Sequence, residues 1–426
     1  MSAETLSFAG EVVIDEVTII NTHGFAQTIT PQVIGIELYE DIFSPCMSGN
    51  LVIRDSQDLS GLFPLVGEEF LKIRFHTPSM PKEHWYQGDF FIYKMTDRFA
   101  SNERELIYVL HFTSREAITD LNKKISRTYS GNVGQIAEKI IKSADGLESR
   151  KRVNIESTTS STKYISNYWS PIRNIQYLTG NAVNQNGSPS YVFFENKYGL
   201  NFISLESLYT APAKQALRWD NYSDEKLPGG GSIKNIEEDY KRILEIRTPM
   251  SFDYMDRIKS GMYANRMFHY DLSMKKYSAF DYFAPYSFKR EKHLNSNSVM
   301  SSAHIARAAS RHVQEHKYHA NFSGYGDVTN TKTTQQRISL LTQAEANKLE
   351  ILVFGRTDYS AGQVMDITIY KAAQLQEKER SDQHIDKLLS GRYLIAAINH
   401  SINREGHQCV IELIKESLLV NIDEGK

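Results

Sequence analysis

The sequence predicts a mainly β fold with helical inserts (β+α): two similar β-barrel modules plus helical subdomains. Three observations carry that expectation. Short runs rich in Val, Ile, Phe and Tyr, separated by turn residues, fill both ends of the chain. Helical periodicity appears mainly between those runs. A strand–turn–strand stretch recurs, weakly but without a gap, 303 residues further on.

The 426 residues allow about two to four domains. Tyr and Phe are plentiful, 24 and 20, and both favour strands. Lys plus Arg number 49 against 51 Asp plus Glu, a net charge of −2. That balance argues against a protein that grips nucleic acid by its phosphates. The two cysteines, Cys46 and Cys409, form no C-x-x-C, which removes the usual cysteine zinc sites and suggests a reducing compartment. The N-terminus, MSAETLSFAGEVVIDE, carries acids where a secretion signal has a basic segment and an apolar run. No stretch approaches the roughly 20 apolar residues of a membrane span.

Residues 8–115 read as strands: EVVIDEVTIIN, VIGIELYEDI, GNLVIRDS, EEFLKIRFH, GDFFIYKMTDRF and ELIYVLHFTS. In GNVGQIAEKIIKSA the residues Val133, Ile136, Ala137, Ile140 and Ile141 fall on one helical face. The Ser/Thr-rich run 145–165 reads as a linker. Ser170 is an N-cap before Pro171 at the first position of a second helix. SYVFFENKYGLNFISLES is a hairpin turning at Asn196–Gly199. LPGGGS at 227–232 is a loop whose glycines match no phosphate-binding spacing. Helices are expected at about 300–318 and 333–350, followed by the closing strands ILVFGR, QVMDITIY, GRYLIAAINHSI and CVIELIKES. The expected divisions are 1–115, an N-terminal β-barrel module; 116–190, a helical insert with linker; and 191–280, the start of a second barrel with associated strands. An insertion with a helix (281–335) follows, then a helix and the completion of the second barrel (336–426).

The duplication sets GDFFIYKMTDRFASNERELIYVLHFTS (88–114) against GRYLIAAINHSINREGHQCVIELIKES (391–417). Gly88 then matches Gly391, Phe90 matches Tyr393, Met95 matches Ile398 and Leu110 matches Leu413. Each copy reads as strand, polar turn, strand. The expectation is that Gly88 and Gly391, and Leu110 and Leu413, hold equivalent places.

The order of elements resembles the baseplate central hub proteins of contractile-tailed bacteriophages. These are the T-even-like tail hub family, related to the N-terminal half of type VI secretion spike proteins. The residues that carry the likeness are MSGNLVIRD and LVGEEFLKIRF, then NYWSPIRNIQYLTGNAV running into SYVFFENKYGLNFISL. Last comes RISLLTQAEANKLE, followed by VFGRTDYSAGQVMDITI and GRYLIAAINHSINREGHQCVIELI. Residues 205–335 depart from the family pattern. The resemblance implies a homotrimer whose two modules per chain make a ring of six, joining a sixfold tail tube protein to a threefold central spike protein. It implies other baseplate partners, a lumen through which DNA passes without sequence recognition, assembly in the host cytoplasm, and a place in the virion. It implies neither catalysis nor a cofactor. No C-terminal β-helix is evident, so the spike is expected to be a separate chain. A type VI-like injection machine is the variant of this reading.

One motif points elsewhere. HVQEH at 312–316 is H-x-x-E-H, which on a helix would set His312 and His316 one turn apart for one zinc ion, with Glu315 as general base. Glu345 or Glu350 on the next helix would complete such a zinc-dependent hydrolase. The bland alternative is a cationic helix end, where Arg311, His312, His316, Lys317 and His319 suit the macrodipole. That is the reading adopted, so no metal ligand is assigned. His111, His400 and His407 read as ordinary strand or turn residues, Glu237–Glu238–Asp239 as a solvated turn, and the RKR at 150–152 as a solvated run. G-x-S-x-G, P-loop and G-x-G-x-x-G signatures are absent.

Overall fold

The computed structural model describes residues 6–57, 59, 63–102, 104–219, 236–250, 252–271, 275–301, 311–316, 327–371 and 385–423. The first module contains β1 (Val13–Ile20), β2 (Ala26–Thr28), β3 (Val33–Asp41), β4 (Ser48–Asp55), β5 (Phe70–His76), β6 (Tyr86–Asn102) and β7 (Glu105–Ser114). Their order across the sheet is β3-β4-β7-β6-β5-β1-β2. The sequence alternates as a half-buried strand must. In β4, Gly49, Leu51, Ile53 and Asp55 face inward, and in β7, Tyr108, Leu110, Phe112 and Ser114 do so. Gly49 is obligatory there, because a Cβ would lie 2.3 Å from the Glu37 carbonyl oxygen and 2.4 Å from Phe112 Cζ. The sheet closes on itself just ahead of β3: the Ile29 amide donates to the Val17 carbonyl at 2.8 Å, and Thr30 Oγ1 accepts from the Val17 amide at 2.8 Å.

The insert follows: α1 (Arg115–Asn122), β8 (Ile125–Asn132), α2 (Val133–Lys142), β9 (Val153–Ile155), β10 (Ser161–Trp169), α3 (Pro171–Asn181), β11 (Tyr191–Asn196) and β12 (Gly199–Ser204). The five apolar positions read on α2 are all buried, against Ile175 and Leu178 of α3 and Tyr191 and Phe202 of the hairpin. Asn132 and Ser170 cap the two helices. The run read as linker is in part structured, since β10 pairs antiparallel with β8. The β11–β12 hairpin serves two cores: Tyr191 and Phe193 face the insert, Val192 and Phe194 the second module.

The chain continues through α4 (Leu205–Tyr209), β13 (Ala213–Trp219), α5 (Ile236–Asp239), β14 (Ile243–Met250), α6 (Tyr254–Ser260), β15 (Ala264–Asp271) and β16 (Lys276–Phe283). Next come α7 (Ala284–Ser287), β17 (Asn297–Ser298), β18 (Arg311–His316), α8 (Asp327–Ala344), β19 (Asn347–Phe354) and β20 (Val364–Ile369). β21 (Gly391–Asn403), β22 (Gly406–Lys415) and β23 (Ser417–Leu418) end it. β15, β16 and β18 form a small sheet of their own.

The second module repeats the first. Its order, β14-β19-β22-β21-β20-β13, matches β3-β4-β7-β6-β5-β1, although β13 runs parallel to β20 where β1 is antiparallel to β5. It closes in the same manner, with the Arg218 amide donating to the Lys241 carbonyl at 2.8 Å just ahead of β14. Irregularities recur too. β6 bulges between Ile92 and Lys94 and β21 between Ile395 and Ala397; β3 bulges between Val33 and Gly35 and β14 between Ile243 and Glu245.

These registers correct one sequence expectation. Gly88 lies opposite Ile73 and Gly391 opposite Ile367. Leu110, however, lies opposite Met95 and Leu51, whereas Leu413 lies opposite Ile395 and Leu349. Counted from the matching bulges, Ile411 stands in Leu110's place, opposite Ile398 and Ile351. The physical reason is two further bulges in β6, one between Thr96 and Phe99, where Asp97 has φ +53°, and one between Ala100 and Asn102. Each holds one residue that β21 lacks, so an ungapped match drifts by two across the turn.

The two modules share one sheet. β3 pairs with β21 from Gly35 opposite Asn403 to Asp41 opposite Ala397, while the near half of β21 pairs with β20.

Candidate functional site

The expected helix at about 300–318 is not formed where it is described. His312, Glu315 and His316 lie on β18, which runs parallel to β15 with His312 opposite Arg266 and His316 opposite Tyr270. The remainder of that expected helix, 302–310 and 317–318, lies outside the described residues. At a strand rise of about 3.3 Å, positions four apart are separated by roughly 13 Å, against about 6 Å along a helix. One ion cannot be shared across that span, so the zinc-hydrolase arrangement fails. Its proposed third ligands are otherwise engaged: Glu345 pairs with Lys348 at 3.4 Å and Glu350 with Arg247 at 3.6 Å.

Chemistry instead gathers at the seam between modules. Glu40 on β3 is fully buried. It accepts hydrogen bonds from Ser360 Oγ at 2.7 Å, the Ala361 amide at 2.8 Å and the Lys197 amide at 3.0 Å. The Lys197 ammonium donates to the carbonyls of Thr357 and His84. The turn of the β11–β12 hairpin is thus a wedge touching both modules at once. Burial raises the Glu40 carboxyl and lowers Lys197 to about 8. Beside them Arg356 forms a two-toothed pair with Asp358 at 3.0 and 2.9 Å, and Lys214 reaches the same carboxylate at 2.8 Å. Burial opposes ionisation of Asp358, but these cations hold it below the usual carboxylate range.

On the β21–β22 hairpin, at the same seam, three ligand-type side chains converge. His400 pairs across the strands with Cys409, and also faces Leu38 of β3. His407 is two residues before Cys409, hence on the same face. The Nδ1 of His400 lies 3.0 Å from the Nε2 of His407, and Cys409 Sγ lies 3.3 and 3.5 Å from those two atoms. All three residues are inaccessible to solvent. Burial drives His400 well below its ordinary value and His407 to about 3, and pushes the Cys409 thiol up. Phe75 and Tyr86 of the first module cover the rings. Sequence reasoning treated these histidines as ordinary. Only the register of a hairpin brings H-x-x-x-x-x-x-H-x-C together, and no local periodicity announces it.

A second polar joint ties the insert to the first module. Lys151 bridges two buried carboxylates, Glu116 at 2.6 Å and Glu195. Glu195 also accepts from the Met47 amide at 3.1 Å. The middle residue of RKR is therefore a structural ion and not part of a solvated run. Glu237 and Glu238 lie on the one-turn helix α5 and not in a turn, both paired at the surface with Lys241. His111 bonds Asn50 at 2.7 Å and Thr96 at 2.8 Å within its sheet. No helix among the described residues is long and apolar enough to cross a membrane.

No protein-family model matches this sequence, and no curated protein matches it. Solved structures share the fold. A 43 kDa tail protein of prophage MuSo2 from Shewanella oneidensis aligns over 94% of this chain and 98% of its own, at 10% identity and a TM-score of 0.55. A tail protein of Neisseria meningitidis MC58 aligns over 94% and 96%, at 10% identity and 0.54. A prophage tail protein of Listeria monocytogenes EGD-e aligns over 94% of both chains, at 10% identity and 0.51.

Proposed function

We propose that the chain is the structural hub of a contractile phage-tail baseplate. Three copies close a ring of six similar β modules, which joins the sixfold tail tube to the threefold spike and leaves a lumen for DNA. The role is one of assembly, within the virion and alongside other baseplate proteins, after assembly in the host cytoplasm.

One observation carries this reading: the seam inside the chain has an unfilled counterpart. β3 lies along the far half of β21. By strand order and bulge position, β14 is to the second module what β3 is to the first, and the far half of β6 is to the first what that of β21 is to the second. Among the described strands, neither the outer edge of β14 nor the far half of β6 has a partner on that side. A neighbouring copy supplies both missing contacts, so β14 of one chain lies along β6 of the next. Heterologous contacts of this kind close into a ring when the rotation permits. The shared fold of three tail proteins, two of them from prophages, supports the same reading.

Carried across the bulges, Ile36 opposite Ile402 becomes Ile246 opposite Ala100 of the next copy. The test is the double variant Ile246→Cys, Ala100→Cys, oxidised in assembled tails. The expected product is a covalent trimer, with neither single variant cross-linking. Absence of the cross-link, six copies per tail, or a peripheral position in an image reconstruction overturns the proposal.

A further inference from the structure

We infer that His400, His407 and Cys409 form a metal site, built into the seam between the two modules, for a thiophilic d10 cation, copper(I) or zinc(II). The alternative is a neutral hydrogen-bonded triad, and two arguments weigh against it.

The first is the count of donors and acceptors. Three atoms make three mutual contacts of 3.0, 3.3 and 3.5 Å. A ring nitrogen either donates or accepts in its plane, never both, and the thiol has one proton. A closed cycle of three hydrogen bonds is therefore impossible, and at most two of the three contacts are ordinary two-centre hydrogen bonds. Of the outer ring nitrogens, His407 Nδ1 is buried without a hydrogen-bond partner, and His400 Nε2 has none of good geometry, the Tyr359 backbone being the one polar group that acts on that ring from outside the cluster. An ion at the centre takes up all three lone pairs together.

The second is size. Metal–nitrogen bonds of about 2.0–2.1 Å and metal–sulfur bonds of about 2.3 Å, set at tetrahedral angles, place ligand atoms about 3.3–3.6 Å apart. The observed triangle is within a few tenths of an ångström of that, without rotating a side chain. The ligands stand on two paired strands of one hairpin, a rigid support of the kind a metal site needs. At the corresponding positions of the first module stand Leu106 and Tyr108, so the site belongs to this seam alone.

Binding balances simply. Cys409 loses its thiol proton to solvent, both imidazoles stay neutral, and no redox change occurs. Copper(I) leaves the buried site uncharged and is content with three soft donors, whereas zinc(II) leaves a net positive charge and prefers a fourth ligand. Charge therefore favours copper(I), while the tetrahedral spacing of the three atoms favours a four-coordinate ion such as zinc(II). Because the residues are sealed from solvent, the ion enters as the chain folds.

The experiment uses the untagged full chain, refolded without oxygen in the presence of copper(I) or of zinc(II), then desalted and analysed for metal. Cobalt(II) refolding serves as a third arm, read by its thiolate charge-transfer absorption. The expected result is about one ion per wild-type chain. Cys409→Ser, close to isosteric, should retain at least tenfold less and show no cobalt–thiolate band. Copper without zinc assigns the ion as copper, and zinc retention assigns it as zinc. If the wild-type chain, shown folded by circular dichroism, retains none of the three ions above the level of Cys409→Ser, the inference is overturned. Should that variant not fold, the wild type is judged alone, and less than about 0.1 ion per chain in all three arms overturns it equally.

Discussion

Replacing Lys151 by Met should loosen the insert from the first module, and the size of the effect can be worked from the joint itself. Glu116 and Glu195 are each 3% exposed at the side chain, and Lys151 is 27% exposed. At 2.6 Å and an effective dielectric of about 20, one such contact is worth about 6 kcal/mol before desolvation. Desolvating the three ions cancels much of that. Removing only the cation, however, leaves two carboxylates buried and facing each other, a loss of about 3–5 kcal/mol. The loss should depend on pH. Burial opposes the charge on Glu116, yet Lys151 and Ser149 hold its carboxyl below the usual range. Its contribution is therefore present above the unfolded carboxyl pKa and fades as pH falls through the folded one. Burial raises Glu195 despite Lys151, and without the cation both carboxyls should rise further and take up protons. Urea unfolding of the variant should show the full deficit at pH 7.5 and a clearly smaller one at pH 5. Adding Glu195→Gln should restore part of it. A deficit under about 1 kcal/mol at pH 7.5, or one unchanged at pH 5, would refute the reasoning.

Gly49→Ala should cost at least about 2–3 kcal/mol, because the new Cβ meets a backbone oxygen in the centre of β3–β4; thermal denaturation reads it directly. His293 lies 3.3 Å from Glu416 and bonds the Phe288 carbonyl at 2.7 Å. Burial works against its charge, but Glu416 and that carbonyl outweigh it and raise the imidazole's pKa. Its stabilisation is therefore full below the unfolded histidine pKa and is lost as pH rises through the folded one. His293→Gln should destabilise by about 2 kcal/mol at pH 5.5 and by much less at pH 8.5, as measured by urea midpoints.

How much was legible follows from which signals are local. Alternation in GNLVIRDS and ELIYVLHFTS, the apolar face of α2 and the Ser170–Pro171 start of α3 are patterns within one element, and the structure has them as read. Repetition of the β module was legible because a strand–turn–strand unit keeps its apolar spacing. Its exact pairing was not, since two extra residues, one at Asp97 and one between Ala100 and Asn102, are absorbed by bulges that an ungapped comparison cannot see. HVQEH misled because H-x-x-E-H has chemical meaning only on a helix. Here His312 and His316 belong to a strand, whose register with β15 is a tertiary property. For the same reason the His400–His407–Cys409 cluster and the ion bridge at Lys151 were illegible: each is assembled from separate strands or from separate ends of the insert.

The bulges that spoiled the repeat have a use on the proposed ring. Inside the chain, β3 follows β21 without interruption from Asn403 to Ala397. Between chains, β14 would meet a β6 whose line is broken between Thr96 and Phe99, with Asp97 held at φ +53°, and again between Ala100 and Asn102. Bulges at an exposed edge twist it away and discourage stray pairing, and this edge also carries charge in Lys94, Asp97 and Arg98. The seam between copies is then weaker than the seam within one, so a free chain stays apart until the tube or spike adds its own contacts. Deleting Asp97 and Arg98 should give β6 the uninterrupted line of β21. The isolated variant should then self-associate at a concentration at least tenfold below the wild type, as read by analytical ultracentrifugation, and it should do so as trimers. A variant that folds yet stays as monomeric as the wild type would show that the bulges do not govern this edge. Open-ended polymers in place of trimers would show that the contact governed by the bulges does not close a ring.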